Sequence, residues 1–264
     1  MPGYLDTDEL SSLACKVVTV FPNNVKHDLP SILANILLFN EKTGALEAIM
    51  DGTEITLWRT AAASAIATKY IQSSSKRNVL AIVGAGAQAK IHAVTFQMEF
   101  KFDKVHIWNR TYERAENLCK ELNSNKSGQY IPFRNLDECI NQADVIITAT
   151  FATTPLIKYE WLKTGVHINA VGAGGTPMEL DEATYKSSVV FVDHLSGVEH
   201  ELQHLSSKGI TFRGEVGGII NGTIPRPSDD EITIFQSLGM ATEDCAVAKI
   251  VYEKYKELQI DGSV

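Results

Sequence analysis

One stretch, NVLAIVGAGAQAKIHAVTF at residues 78–96, limits the possible folds more than any other. It sets Gly84-Ala85-Gly86-Ala87-Gln88-Ala89 directly after a β-branched strand and at the start of a helix. A lone G-x-G-x-x-A string is weak evidence. With a strand before it, a helix after it and a second strand at the right distance, it marks the phosphate turn of a dinucleotide-binding βαβ unit. Gly84 allows the tight turn, Gly86 lets the backbone approach a pyrophosphate, and Ala89 keeps helix and strand close. The helix N-terminus adds amide donors and a positive dipole, and Gln88 lies in its first turn. The alternative is a strand–turn–helix corner with no ligand.

The second strand of such a unit usually ends in Asp or Glu, which binds the ribose 2′-hydroxyl of NAD. Here VHIWNRT ends in Asn109, Arg110 and Thr111, with Arg114 one helical turn further on. A carboxylate at that place repels a 2′-phosphate, whereas a guanidinium grips it bidentately, with the Thr111 hydroxyl assisting. One such charge-assisted contact is worth roughly 1.5–3 kcal/mol, about ten- to a hundred-fold in favour of NADPH. The expected cofactor is NADPH. The other possibility is a surface arginine on a solvated loop.

From residue 78 onward strands and helices alternate. Strands are expected near 79–83, 104–108, 144–149, 166–171 and 188–193, with helices at 87–100, 111–123 and 180–187. That order predicts a Rossmann-type doubly wound parallel sheet with right-handed crossovers. Upstream, 16–20, 32–39 and 45–50 read as strands, and a helix rich in Ala opens near Thr53. A helix over roughly 240–258 closes the chain. The polar run SSSKR at 73–77 predicts a boundary. The expected domains are residues 1–73 with 236–264, a smaller α+β unit for substrate and dimer contacts, and 74–235 for the cofactor.

A formal net charge of −8 with no basic block argues against a nucleic-acid or anionic-membrane partner. Cys15, Cys119, Cys139 and Cys245 are scattered without metal-ligand spacing, which predicts reduced thiols packed in a core and no metal. No signal peptide or bilayer-spanning run is read, so a cytoplasmic location is expected.

Six motifs in order carry a resemblance: MDGTEITLWRTAAASAIATKY, VGAGAQA, VHIWNRT, ADVIITAT, GVHINAVGA and TIFQSLGMATEDCAVAKIVYE. Together they resemble the ornithine cyclodeaminase/mu-crystallin family from about residue 1 to 256, most closely its ketimine-reductase branch. The resemblance implies a homodimer that reduces cyclic imines bearing a carboxylate, such as piperideine-2-carboxylate and pyrroline-2-carboxylate. It also implies that thyroid hormone binds in the same pocket.

By motif, Arg59 resembles the family's substrate-carboxylate clamp and Lys16 its pocket lysine. Thr60 falls beside the cofactor. Ala149, Thr150 and Val171 line the dinucleotide, Ser237 and Leu238 face its nicotinamide end, and Glu215 borders the pocket. Each has a plainer alternative. Arg59 could serve a structural salt bridge, Lys16 could be an exposed strand residue, and Ser237 and Leu238 could be strand-end packing. For Glu215 a solvated carboxylate is the stronger expectation.

Two departures bear on activity. The cyclodeaminases place an Asp after the AVGG-type turn, where this chain has Gly174, so reduction is favoured over ornithine cyclisation. The chain also begins at a motif internal to the family, without the family's leading helix and strands or the carboxylate-binding Arg they carry. Two other functions therefore stay open: a binding protein for NADPH and thyroid-hormone-like ligands without turnover, and a cyclodeaminase-like or alanine-dehydrogenase-like enzyme using NAD.

Overall fold

The computed structural model describes residues 1–72, 78–125, 129–172 and 179–260. The polar run at 73–77 and Gly174 lie outside these. The chain divides into two compact units, Met1–Arg59 with Gly239 onward, and Thr60–Leu238.

The first unit holds β1 (Pro2–Asp6), β2 (Ser11–Val20), β3 (Ile32–Phe39) and β4 (Leu46–Asp51), then the start of α1 (Gly52–Ile71). The strands form one antiparallel sheet in chain order. Strand side chains alternate between faces, and Ala14 and Lys16 of β2 point the same way as Ala34, Ile36 and Leu38 of β3, all buried. The closing helix of the chain (Ala241–Ile260) covers that face, packing Cys245 and Ala248 against Ala14, Ile36 and Leu38. The opposite face carries Tyr4, Val17, Leu46 and Ile49, which are exposed although apolar.

In the second unit β5 (Val79–Val83), α2 (Ala87–Phe100), β6 (Lys104–Trp108), α3 (Tyr112–Leu122), β7 (Tyr130–Phe133), α4 (Leu136–Ile140), β8 (Val145–Thr148) and β9 (His167–Ala170) follow in turn. They are succeeded by α5 (Glu182–Lys186), β10 (Val189–Val192), α6 (Leu195–Glu201), α7 (Gln203–Ser206), β11 (Gly214–Glu215), α8 (Val216–Ile220) and β12 (Thr233–Gln236). The closing helix is α9. Eight strands make one parallel sheet in the order β11-β10-β12-β9-β8-β5-β6-β7.

Both faces of this sheet are covered, which explains the unbroken apolar runs of its central strands. Leu80 and Ile82 pack on one side with Phe96 and Ile107. Ala81 and Val83 pack on the other with Ile146 and Ile168.

The chain builds from β5 outward to β7, then returns to lay β8 on the other side of β5. The order reverses there, and in open α/β sheets ligands bind beyond the carboxyl ends of the strands at such a switch.

The expected parallel sheet and its separate small unit are both present. The units divide inside α1, whereas the polar run at 73–77 had suggested a seam after it. The cause lies in the second half of that helix: Ala65 joins the core around Leu80, while Ala67 and Ile71 pack with Phe191 and Phe235. At the far end the second unit keeps Ser237 and Leu238.

Candidate active site

In the first unit, the alternation of β2 sends Lys16 inward, where it is 2% exposed. A buried ammonium needs a counter-charge, and α9 supplies it from its first turn. Lys16 Nζ lies 2.8 Å from Asp244 Oδ1 and 2.7 Å from Oδ2. Burial, with the neighbouring Arg59 charge, holds the ammonium below its usual range, against the pull of Asp244.

Arg59 reaches the same place from α1. Its Nη1 donates to Glu243 Oε2 at 2.9 Å, and its Nε lies 3.4 Å from Asp244 Oδ1 without a hydrogen bond. Gly239, at φ +84°, clears room for the guanidinium, since a Cβ there would meet Nη1 at 2.5 Å. Both sequence-named cations thus converge on Asp244, and Lys16 is not the exposed strand residue that the sequence left open.

In the second unit, Gly84 adopts φ +124°, a conformation that favours glycine. A Cβ on it would strike the Ala149 carbonyl, so the turns leaving β5 and β8 press together at the switch. Gly86 is the N-cap of α2, no side chain caps that helix, and the space where a Cβ would stand is open. The first amides of a helix lack intrahelical acceptors. Their exposure beside an open glycine suits a pyrophosphate. Ala89 is fully buried, as close helix–strand packing requires. The Gln88 amide oxygen is buried without a hydrogen-bond partner, which leaves an acceptor for a bound group.

A cavity of about 420 Å³ opens on this turn, lined by Ala85, Gly86, Ala87, Lys90, Arg114 and Asn117 among others. The structure therefore brings Arg114 to the phosphate turn. Arg110 is exposed and does not line that cavity. Asn109 Nδ2 donates to the Thr111 carbonyl at 2.8 Å and shapes the bend that leads through Thr111, at the N-cap position, into α3.

The other expected cofactor residues sit at the carboxyl edge of the sheet. Ala149 N donates to Val83 O, Val171 N to Thr148 O and Ser237 N to Ala170 O, so each extends a ladder by one step. Leu238 N donates to Asp193 Oδ2 at 2.8 Å. Thr60 is buried at the start of the second unit. Glu215 is half-buried and accepts from Leu195 N at 2.8 Å, which gives it a backbone to hold.

Several site residues escaped the sequence reading. Glu243 and Asp244 lie in the quoted motif "ATED", yet nothing in it says they face Lys16 and Arg59 across more than 180 residues. Glu179 gathers four donors at the carboxyl edge.

Among the described residues no cluster of His, Cys, Asp or Glu could hold a metal, and no helix is long and apolar enough to cross a membrane. Cys119, Cys139 and Cys245 are buried and none of the four cysteines is in a disulfide. Burial pushes the Cys119 thiol up to about 12.

A model of the ornithine cyclodeaminase/mu-crystallin family matches residues 1–259. The ketimine reductase mu-crystallin of Rattus norvegicus is 40% identical over 256 residues, covering 97% of this chain and 79% of the relative. The Delta(1)-pyrroline-2-carboxylate reductase of Thermococcus litoralis, solved with NADH and L-proline, superposes with a TM-score of 0.88 at 33% identity. That match covers 97% of this chain and 86% of the other. An archaeal alanine dehydrogenase dimer with bound NAD gives a TM-score of 0.86 at 31% identity, covering 98% and 85% of the two chains. With the phosphate turn, the switch point and the paired cations all in place, the chain belongs to the ornithine cyclodeaminase/mu-crystallin family.

Proposed function

We propose that this protein is an NADPH-dependent reductase of cyclic ketimines bearing a carboxylate, of the piperideine-2-carboxylate and pyrroline-2-carboxylate type, yielding the cyclic amino acids. The observation that carries the reading is two cations, the buried Lys16 and the half-buried Arg59, gathered on Asp244 in a family whose relatives include imine reductases.

A reduced nicotinamide supplies a hydride to the carbon of a protonated C=N bond, which becomes CH–NH with its nitrogen neutralised. The residues must bind and orient more than they must exchange protons. Arg59 is the cation that would meet a substrate carboxylate. Lys16 and Arg59 are each opposed by a carboxylate of α9, so the free cluster carries no net charge. A substrate carboxylate then tips it negative, which favours the protonated imine.

NADPH is preferred over NADH on the strength of Arg110 and Arg114 and the lack of a carboxylate at the end of β6. The active form is a homodimer joined through the exposed apolar face of the small sheet. That face carries Tyr4, Val17, Leu46 and Ile49, and the alanine dehydrogenase relative is a dimer. An exposed apolar patch of this kind usually marks an interface.

The test is oxidation of NADPH, followed by absorbance, on addition of each cyclic imine, with NADH in parallel and thyroid hormone added as competitor. Imine-dependent oxidation that favours NADPH is the expected result. Tight NADPH binding without turnover would overturn the reductase reading in favour of a binding protein. Ammonia release from ornithine would overturn it in favour of a cyclodeaminase.

A further inference from the structure

We propose that Glu179 is a positioning residue for the dinucleotide, fastening Thr150 and Gly172 just beyond β8 and β9 at the carboxyl edge of the sheet. The inference rests on the nicotinamide-cofactor reading above. Its Oε1 accepts from the amide and hydroxyl of Thr150 at 2.7 and 2.6 Å. Its Oε2 accepts from the Thr148 hydroxyl at 2.6 Å and the Gly172 amide at 2.9 Å. All four donors are neutral, and Thr148, Thr150 and Gly172, separated in sequence, meet on one carboxyl group.

The site is built to admit that group. Glu179 is 3% exposed, and a Cβ on Gly172 would collide with its carboxylate and with the Thr150 carbonyl. Only glycine lets the carboxylate come this near. Burial holds the pKa of the acid above its usual range, and the four donors oppose that rise without reversing it. A neutral acid or an amide would turn a donor toward donors. The arrangement therefore calls for an ionised acceptor, and hydrogen bonds to an ionised group are about twice as strong as neutral ones.

Location gives this anchor its consequence. β8 adjoins β5 at the switch point, where open α/β sheets bind their ligands. The Ala149 carbonyl, one residue before Thr150, bounds the space over Gly84. A Thr150 loop that drifts takes with it one wall of the phosphate turn. Glu179 acts through Thr150 and Gly172 and not by contact with the reacting atoms.

The test is titration of the whole chain with NADH and with NADPH, read by nicotinamide fluorescence, for the wild type, Glu179→Gln and Thr150→Val. Steady-state KM and kcat, and the melting temperature without cofactor, are measured on the same samples. Glu179→Gln is expected to weaken both cofactors about tenfold or more and by the same factor, with kcat at saturating cofactor within about threefold. Thr150→Val, which removes one donor and leaves the charge, is expected to weaken both by a smaller factor. It keeps the proposal testable if Glu179→Gln does not fold. A lower melting temperature with cofactor affinities unchanged would make Glu179 a fold residue only and overturn the proposal. Failure of the wild type to bind either dinucleotide would instead overturn the cofactor reading on which it rests.

Discussion

Lys16 and Asp244 are held together by 2.7 and 2.8 Å contacts, each side chain 1% exposed, from β2 and the first turn of α9. Breaking a buried pair from one side leaves an uncompensated charge and typically costs about 3–5 kcal/mol, whereas replacing both partners with apolar groups costs far less. Asp244→Asn is therefore expected to destabilise the protein by that order, and Lys16→Met with Asp244→Leu by clearly less. Denaturant midpoints for the two variants check it. Equal losses would mean that the pair carries no coupling. The direction with pH follows from the lowered ammonium of Lys16. The unfolded chain binds that proton more tightly, so the penalty of charging Lys16 eases as pH rises toward 10.5.

His92 is expected to weaken the second unit in acid. The ring is fully buried in α2, with Nδ1 2.8 Å from the Gln88 carbonyl and Nε2 3.0 Å from Ser64 Oγ. A carbonyl only accepts, so Nδ1 carries the proton and Nε2 accepts from the serine. Burial lowers the pKa from 6.5 to about 4. The unfolded state then binds more protons between those values, so the contribution is complete above pH 6.5 and is lost as pH falls toward 4. The loss is of the order of 3 kcal/mol. Comparing wild type with His92→Gln from pH 7 to 4.5 isolates it, since other groups titrate alike in both. The variant should show the flatter profile; parallel profiles would remove His92 as the cause.

How far the sequence reached depends on the range of the interaction. Strand, turn and helix around Gly84 are neighbours in the chain, and β5, α2, β6 and α3 lie within two residues of where periodicity and turn chemistry put them. β1, β7, β11 and β12 are four or five residues long or shorter and gave no clear period. α6, α7 and α8 are single turns or two, below the length at which an apolar stripe can be read. The site was half legible for the same reason. Lys16 and Arg59 were named through a motif resemblance, but their partners Glu243 and Asp244 lie across the fold. Nothing local announces Glu179, whose donors come from 148, 150 and 172.

The proposed preference for NADPH rests on the end of β6. Arg110 is exposed there with no carboxylate beside it in sequence, and Arg114 lines the cavity at the phosphate turn. Arg110→Asp removes a cation and adds an anion where a 2′-phosphate would lie. NADPH affinity is expected to fall about ten- to a hundred-fold, with NADH changed by less than about threefold. Parallel fluorescence titrations decide it. An equal change for both cofactors would place the 2′-phosphate elsewhere, with Lys90 the next cation to test because it lines the same cavity and pairs with Glu121 at 2.5 Å.

The outer face of the small sheet yields the last prediction. Cys15 pairs with Leu37 and Leu37 with Ile49, and Tyr4 pairs with Leu13 and Leu13 with Phe39. These cross-strand rows point away from α9, and Ile49 is 67% exposed. A solvated antiparallel sheet ordinarily alternates apolar and polar residues, yet here both faces are apolar, so water is a poor occupant of the second. If a second copy covers it, Ile49→Glu buries a carboxylate at the interface, at a cost of several kcal/mol per protomer. The sedimentation coefficient should then drop from dimer to monomer, while circular dichroism and NADPH binding persist, because the phosphate turn belongs to the other unit. A variant that stays dimeric would show that the apolar face is not the joint.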